Sequence, residues 1–143
     1  MKLLYWCGVA TAAVGLLHIV IAFAGPSWYA FFGAPHRLVE AARAGDPRAP
    51  ITCVAIACVL FVFAAYAFSG SGVIPQLPLL KPMLALVAAV FTLRGIAFVP
   101  LAIVAPSWLR RFTDHAQVDA FIVATSLVCI ALGAGYALGL RET

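Results

Sequence analysis

The sequence predicts an all-α integral membrane protein that folds as a four-helix bundle. Hydrophobic residues make up 65% of the 143 residues and the mean hydropathy is +1.09, which lies beyond the range of soluble domains. Four apolar stretches are each about long enough to cross a bilayer, which takes about 20 residues of helix. Of the 14 charged residues, 13 lie outside these stretches. The stretches are Leu3–Ala24, Pro50–Phe68, Pro82–Val104 and Ala120–Leu140.

The first stretch begins after Lys2 and closes with Ala22-Phe23-Ala24, a sequence typical of signal-peptide cleavage sites. Its apolar run is longer than the hydrophobic region of most signal peptides, and it contains a histidine. We therefore expect this stretch to be kept as the first spanning helix.

The loop after the first stretch predicts a short helix that lies on the membrane surface. The segment Pro35–Ala44 starts with a proline, which favours the first turn of a helix. Polar residues recur on one side of this segment and apolar residues on the other, as in interfacial helices. The side predicted to face water carries His36, Arg37, Glu40 and Arg43, and the side predicted to face lipid carries Leu38, Val39 and Ala42. Asp46-Pro47 ends the helix.

The two halves of the chain share landmarks that favour an internal duplication. Two Pro-Ser-Trp triplets and two glycines match at an offset of 80, and two tyrosines match at an offset of 70. The repeat units would be residues 1–72 and 81–143, two parallel two-helix units related by a pseudo-twofold axis along the membrane normal. Chance similarity at membrane edges is the alternative. The matched pairs are Pro26 with Pro106, Gly15 with Gly95, and Tyr66 with Tyr136.

Aromatic residues near the ends of the stretches are typical of membrane–water interfaces. Trp28, Tyr29 and Trp108 directly follow the first and third stretches, and we expect them to anchor the protein at the headgroup level. Tyr66 and Tyr136 lie near the ends of the second and fourth stretches, and their hydroxyls are expected to reach interfacial water.

Arg94 is the charged residue inside a predicted span, and it is the strongest candidate for a binding residue. An arginine keeps its charge in proteins, and a charge at this depth costs at least about 2.5–3.5 kcal/mol unless it finds a partner. We therefore expect the guanidinium to lie inside the bundle. In one interpretation it holds an anionic or carbonyl-bearing ligand, such as a lipid phosphate, a quinone or a propionate. In the other it is structural, and it caps freed backbone carbonyls or pairs with hydroxyls of neighbouring helices, such as Thr125 or Ser126. Asp119 is the nearest carboxylate candidate.

His18 is the second candidate binding residue, because histidines within spans usually face the bundle interior. We expect it within one helical turn of the level of Arg94. It would carry protons, bind a ligand or coordinate a haem, or it would form a structural hydrogen bond with a neighbouring helix. A haem held by two histidines needs a second histidine in a span, whereas His36 and His115 lie in loops. The identity of any cofactor stays open.

Small residues at a spacing of four mark two faces for close helix packing. These faces are Cys7-Thr11-Gly15 and Ala131-Gly135-Gly139.

The four cysteines show no metal-binding spacing, so no metal site is predicted.

The sequence carries no nucleophile elbow, P-loop, zinc signature or paired intramembrane carboxylates, and no basic run for nucleic acids. We therefore predict a non-enzymatic accessory or assembly subunit of a larger membrane complex, or a homo-oligomer, in the bilayer of a bacterial inner membrane. An even number of spans places both termini on one side. One alternative is a small oligomeric transporter or channel that uses Arg94 and His18. The other is an intramembrane enzyme subunit that binds a quinone, haem or lipid.

Overall fold

The computed structural model describes residues 2–109 and 120–143, and this part of the chain is all-α. The predicted fold class is confirmed, because four of the described helices are long and apolar enough to cross a membrane. The helices are α1 (Lys2–Ala24), α2 (Pro26–Phe31), α3 (His36–Arg43), α4 (Arg48–Ser71), α5 (Leu80–Val104), α6 (Pro106–Leu109) and α7 (Ala120–Leu140).

The spanning helices α1, α4, α5 and α7 correspond to the four predicted stretches, and α4 and α5 start slightly earlier. α4 begins at Arg48 because Pro50 is tolerated in the first turn of a helix. It ends before Gly72, whose φ of 83° is the left-handed conformation that commonly terminates a helix. Within α5, Pro100 has no N–H to donate, so the carbonyl of Ile96 loses its usual helical partner.

The spanning helices form two antiparallel hairpins, α1 with α4 and α5 with α7. The hairpins meet where α1 packs on α7 and α4 packs on α5, so α1 and α5 lie on one diagonal of the bundle. Gly15 approaches Phe61 of α4, and Gly95 approaches the backbone of Ser126 in α7. Glycines thus allow the two helices of each hairpin to pack closely.

The predicted small-residue faces are used inside the bundle. Cys7, Thr11 and Gly15 are all buried on α1. Where α7 meets α1, Gly135 packs against Cys7 and Gly139 packs against Leu4. Ala131 is exposed, so only part of the α7 face takes part in this contact.

Most buried hydrophobic side chains of the described residues fall into three clusters, and one of these clusters joins the hairpins. That cluster contains residues from all four spanning helices and extends from the end where α1 and α5 begin to about the level of Phe91. Towards the other end, each hairpin has its own cluster in the described part of the chain. The shared cluster includes Leu4, Leu60, Leu84 and Tyr136, the first-hairpin cluster includes Ile21, Tyr29, Val39 and Cys53, and the second-hairpin cluster contains Ala102 and Ile122.

The loop between α1 and α4 folds back onto the first hairpin. α3 confirms the predicted short helix, and its predicted polar residues are exposed. Glu40 accepts a hydrogen bond from Arg43 at 2.7 Å. Val39 is only 2% exposed and packs into the first-hairpin cluster, so the prediction that it faces lipid is wrong. The location of α3 on a membrane surface stays a prediction.

The predicted interface anchors differ in exposure. Trp28 and Trp108 are 40% and 47% exposed, and their location at the headgroup level stays a prediction. Tyr29 is 1% exposed, and its hydroxyl donates to the carbonyl of Ala22 at 3.3 Å. The prediction that Tyr29 is an exposed anchor is therefore wrong, because α3 folds over its ring and buries it beside Val39.

The burial of Tyr29 predicts that its hydroxyl ionises only at a higher pH than an exposed tyrosine. Desolvation, and then the neighbouring Cys53 thiol, raises the pKa of Tyr29 from 10 to about 12. Because folding favours the neutral hydroxyl, the stability that it contributes is complete below pH 10 and is lost as the pH rises towards 12. In an absorbance titration of tyrosinate, we expect Tyr29→Phe to lose one late-ionising group relative to the parent protein. Loss of a group that ionises near pH 10 would contradict this.

Equivalent positions in α1 and α5 have matching burial. Residues 11–20 and 91–100 show the same order of buried, half-buried and exposed positions, at the offset of 80 seen in the sequence. Both helices therefore present corresponding residues to their own hairpin partner. The duplication itself stays a prediction.

In α4 and α7, the buried positions recur one residue away from the predicted offset of 70. Ala67, rather than Tyr66, consequently occupies the position that corresponds to Tyr136. This comparison gives residues of the spanning helices in one hairpin a counterpart in the other. The pairs that matter below are Val14 with Arg94, His18 with Phe98, and Ala57 with Ser126.

Candidate functional site

Arg94 lies in α5 beside its contact with α7. It follows Phe91 by one helical turn, close to the level where the shared cluster ends. The next residue, Gly95, packs directly against the backbone of Ser126 and Ile130. Val104, at the end of α5, is about 15 Å away along the helix at the usual rise per residue. Arg94 is thus half-buried deep within a spanning helix.

The guanidinium of Arg94 stacks on the ring of Phe98, with Cζ 3.4 Å from the ring centroid. A cation on an aromatic face is attracted by the ring quadrupole. The N–H donors of a guanidinium, however, lie in its plane, so stacking on its face satisfies none of them. Nη1 is buried and has no hydrogen-bond partner among the residues that the structure describes.

The polar residues of α7 near Arg94 differ from one another in their hydrogen bonding. The Thr125 hydroxyl donates within its own helix, to the carbonyls of Phe121 at 2.9 Å and Ile122 at 3.2 Å. Ser126 is 3% exposed, and its Oγ has no partner in the described ranges. Cys129, one turn further along α7, lies within electrostatic range of Arg94. Two polar groups, Arg94 Nη1 and Ser126 Oγ, therefore lie buried and unpaired at one interface.

His18 forms a hydrogen bond within α1 and not with a neighbouring helix, since its Nδ1 donates to the Val14 carbonyl at 2.8 Å. Tyr136 contacts both Thr11 and Phe91, so α1 and α5 share a level at these two residues. His18 accordingly lies near the level of Phe98, but on the opposite diagonal helix. Among the described residues, no hydrogen bond links His18 directly to Arg94.

A layer of side chains that sequence reasoning missed crosses the middle of the bundle. One residue comes from each spanning helix: Thr11, Phe63, Phe91 and Tyr136, here named the central layer. The Tyr136 hydroxyl lies 2.9 Å from Thr11 Oγ1 and donates to the Phe63 carbonyl at 3.4 Å. Its ring stacks on Phe91 at 5.9 Å, and Phe91 meets Phe63 edge to face at 6.3 Å.

The expected role of Tyr136 is therefore wrong: its side chain is fully buried and does not reach interfacial water. Tyr66 behaves differently, because its exposed hydroxyl donates to the Pro78 carbonyl in the loop before α5. Thr11 is a polar residue within a strongly apolar stretch, and this was the signal in the sequence that could have indicated the central layer. The sequence-predicted residues Asp119 and His115 lie outside the described residues.

A pocket of about 190 Å³ lies at the other end of the first hairpin, between the end of α1, α2 and the turn before α4. Its polar groups already have partners: Asp46 accepts the Arg48 backbone N–H at 2.9 Å, and Tyr29 donates to Ala22. The pocket therefore lacks the unpaired groups that make the Arg94 region a candidate site.

Within residues 2–109 and 120–143, no group of three His, Cys, Asp or Glu side chains is arranged to hold a metal ion. No protein-family model, curated protein or solved structure matches this chain. The four apolar helices identify the chain as a multi-pass membrane protein.

Proposed function

We propose that this protein is a non-enzymatic accessory or assembly subunit of a larger complex in a bacterial inner membrane. The observation that carries the proposal is the central layer. Four interlocked side chains fill the bundle axis, and the Tyr136 hydroxyl links α1, α4 and α7. From this packing between the helices we infer that the protein acts through its outer surface.

Two of the segments between the spanning helices, both within the described residues, support the same proposal. α2 and α3 pack against the first hairpin through Tyr29 and Val39. The turn between α4 and α5 is held by Ser69, whose hydroxyl donates to the Pro75 carbonyl at 3.0 Å and accepts the Leu77 N–H at 2.8 Å. These two segments are short and fixed to the bundle, which favours contacts with other subunits on the membrane-spanning surface.

Mild solubilisation of native membranes tests this function. We expect the tagged chain, whose mass is 15.1 kDa, to run on a blue-native gel in an assembly that contains other polypeptides. A strongly denaturing detergent serves as the control, and it should release the free chain. Migration of the chain alone after mild solubilisation would contradict the proposal.

A transporter or channel is the second candidate, and the buried charge of Arg94 is the observation that favours it. A path through one bundle would require the central layer to open, whereas a path between copies would not. Purified protein in liposomes separates the two functions. Solute or ion flux that is lost in Arg94→Val would favour transport, and an absence of flux would favour the subunit.

A further inference from the structure

We propose that Arg94 and Ser126 form a binding site for an amphiphile with an oxyanion headgroup, a carboxylate or a phosphate. This inference goes beyond the proposed subunit function and does not depend on it. Two buried polar groups, Arg94 Nη1 and Ser126 Oγ, have no partner in the part of the chain that the structure describes. Buried polar groups are nearly always paired, so each of these two groups needs a hydrogen-bond partner that the described residues do not supply.

The chemistry of the two groups selects the ligand. A guanidinium only donates hydrogen bonds, and a serine hydroxyl can donate one more. Phe98 covers one face of the guanidinium and leaves its in-plane donors directed elsewhere. A negatively charged group with several oxygen atoms satisfies both residues and also neutralises the positive charge.

The depth of the site within the membrane-spanning helices indicates that the ligand also carries a hydrocarbon tail. Arg94 lies deep within α5, so a small soluble anion would have to shed its hydration to reach it. The neighbouring outer faces of both helices are apolar and exposed: Leu93 and Ile96 on α5 are 67% and 58% exposed, and Leu127 on α7 is 62% exposed. A molecule with a hydrocarbon tail can lie along these faces and present its headgroup to Arg94.

The first hairpin shows that neither polar residue is needed for packing. The counterparts of Arg94 and Ser126 in that hairpin are Val14 and Ala57, both apolar. Val14 packs against the shared cluster, and Ala57 is fully buried. The same helix pair thus forms with small apolar residues at these positions, and the polar pair is a feature of the second hairpin alone.

The test uses purified, delipidated protein and two pairs of probes. Oleate is compared with oleyl alcohol, and phosphatidylglycerol is compared with phosphatidylcholine. Binding is measured by native mass spectrometry and by the shift in Tm in detergent. The variants are Arg94→Val and Ser126→Ala, which install the first-hairpin residues. Arg37→Val removes one exposed charge from α3 as the matched control.

We expect the parent protein to prefer one anionic probe over its uncharged or zwitterionic partner. Arg94→Val should weaken binding of that probe by about 10- to 100-fold, and Ser126→Ala by about 3- to 10-fold. Arg37→Val should leave the preference intact. A preference for oleate identifies a free carboxylate as the headgroup, and a preference for phosphatidylglycerol identifies a lipid phosphate.

Two outcomes would overturn the proposal. One is a parent protein without any preference for the anionic probes. The other is a preference that survives in both Arg94→Val and Ser126→Ala. If Asp119→Asn lowers Tm as much as Arg94→Val and no anionic probe binds, the guanidinium is paired within the chain and no ligand site exists. If Arg94→Val does not fold, the effect of Ser126→Ala on probe binding alone decides whether the site exists. This variant removes a single oxygen atom, so we expect it to fold.

Discussion

Tyr136→Ala is expected to destabilise the folded bundle by about 3–5 kcal/mol, the usual cost of deleting a buried aromatic side chain. The ring of Tyr136 stacks on Phe91, and its hydroxyl reaches both Thr11 and the Phe63 carbonyl. Its removal opens a cavity at a level where all four spanning helices contact one another. Unfolding by titration with SDS in mixed micelles measures the change in free energy.

The hydroxyl of Tyr136 is tested separately from its ring. Tyr136→Phe should cost about 1 kcal/mol, because it leaves the fully buried Thr11 hydroxyl without its partner. Tyr66→Phe is the matched control, since the Tyr66 hydroxyl is exposed, and it should change stability by less than about 0.5 kcal/mol. In a double-mutant cycle, Thr11→Val and Tyr136→Phe should couple; strictly additive effects would show that the central layer does not form.

Gly95→Ala is expected to cost about 1–3 kcal/mol by overpacking. A Cβ at this position would lie 2.8 Å from the Ser126 carbonyl oxygen and 2.9 Å from the Ile130 nitrogen. Both atoms belong to the backbone of α7, which can yield only if the whole helix moves. The same displacement would separate Arg94 from Ser126, so ligand binding should fall together with stability.

Gly15→Ala is the matched control, because Gly15 is the counterpart of Gly95 in the first hairpin. A Cβ at Gly15 would lie 3.1 Å from Phe61 Cε1, the far end of a side chain that can rotate. The better helix propensity of alanine offsets part of that cost, so we expect a change of less than about 1 kcal/mol. Equal losses of stability in the two variants would contradict the close backbone contact between α5 and α7.

The spanning helices could be predicted from the sequence because bilayer thickness and hydropathy are local constraints. α7 ends at the predicted residue, Leu140, and α1, α4 and α5 differ from the predicted bounds by at most three residues at either end. Arg94 could also be singled out, since a single charge within an apolar stretch is visible without any knowledge of packing.

The pairing of side chains between helices could not be predicted in the same way. Tyr136 lies near the end of its stretch, where tyrosines usually meet water. Its burial depends on Thr11 and Phe63, which are distant in sequence and reach it only after the hairpins associate. Tyr29 is likewise buried because α3 folds back over it, and local hydropathy does not encode that return.

The phenylalanine at position 98 illustrates a signal that sequence reasoning could have used. Residues four apart on a helix are neighbours, so Arg94 and Phe98 were candidates for a cation–π pair. The environment of Ser126 had no such signal. Its burial follows from the closeness of α5 and α7 at Gly95, a contact between residues that are distant in sequence.

The central claim is that this bundle functions by associating with other polypeptides in the membrane. Native mass spectrometry of complexes ejected directly from membranes tests this claim. We predict that the chain of 15.1 kDa leaves the membrane together with at least one other polypeptide. A mass adduct of an anionic amphiphile should accompany the parent chain and be missing from Arg94→Val. Ejection of the chain by itself, without other polypeptides, would contradict the account.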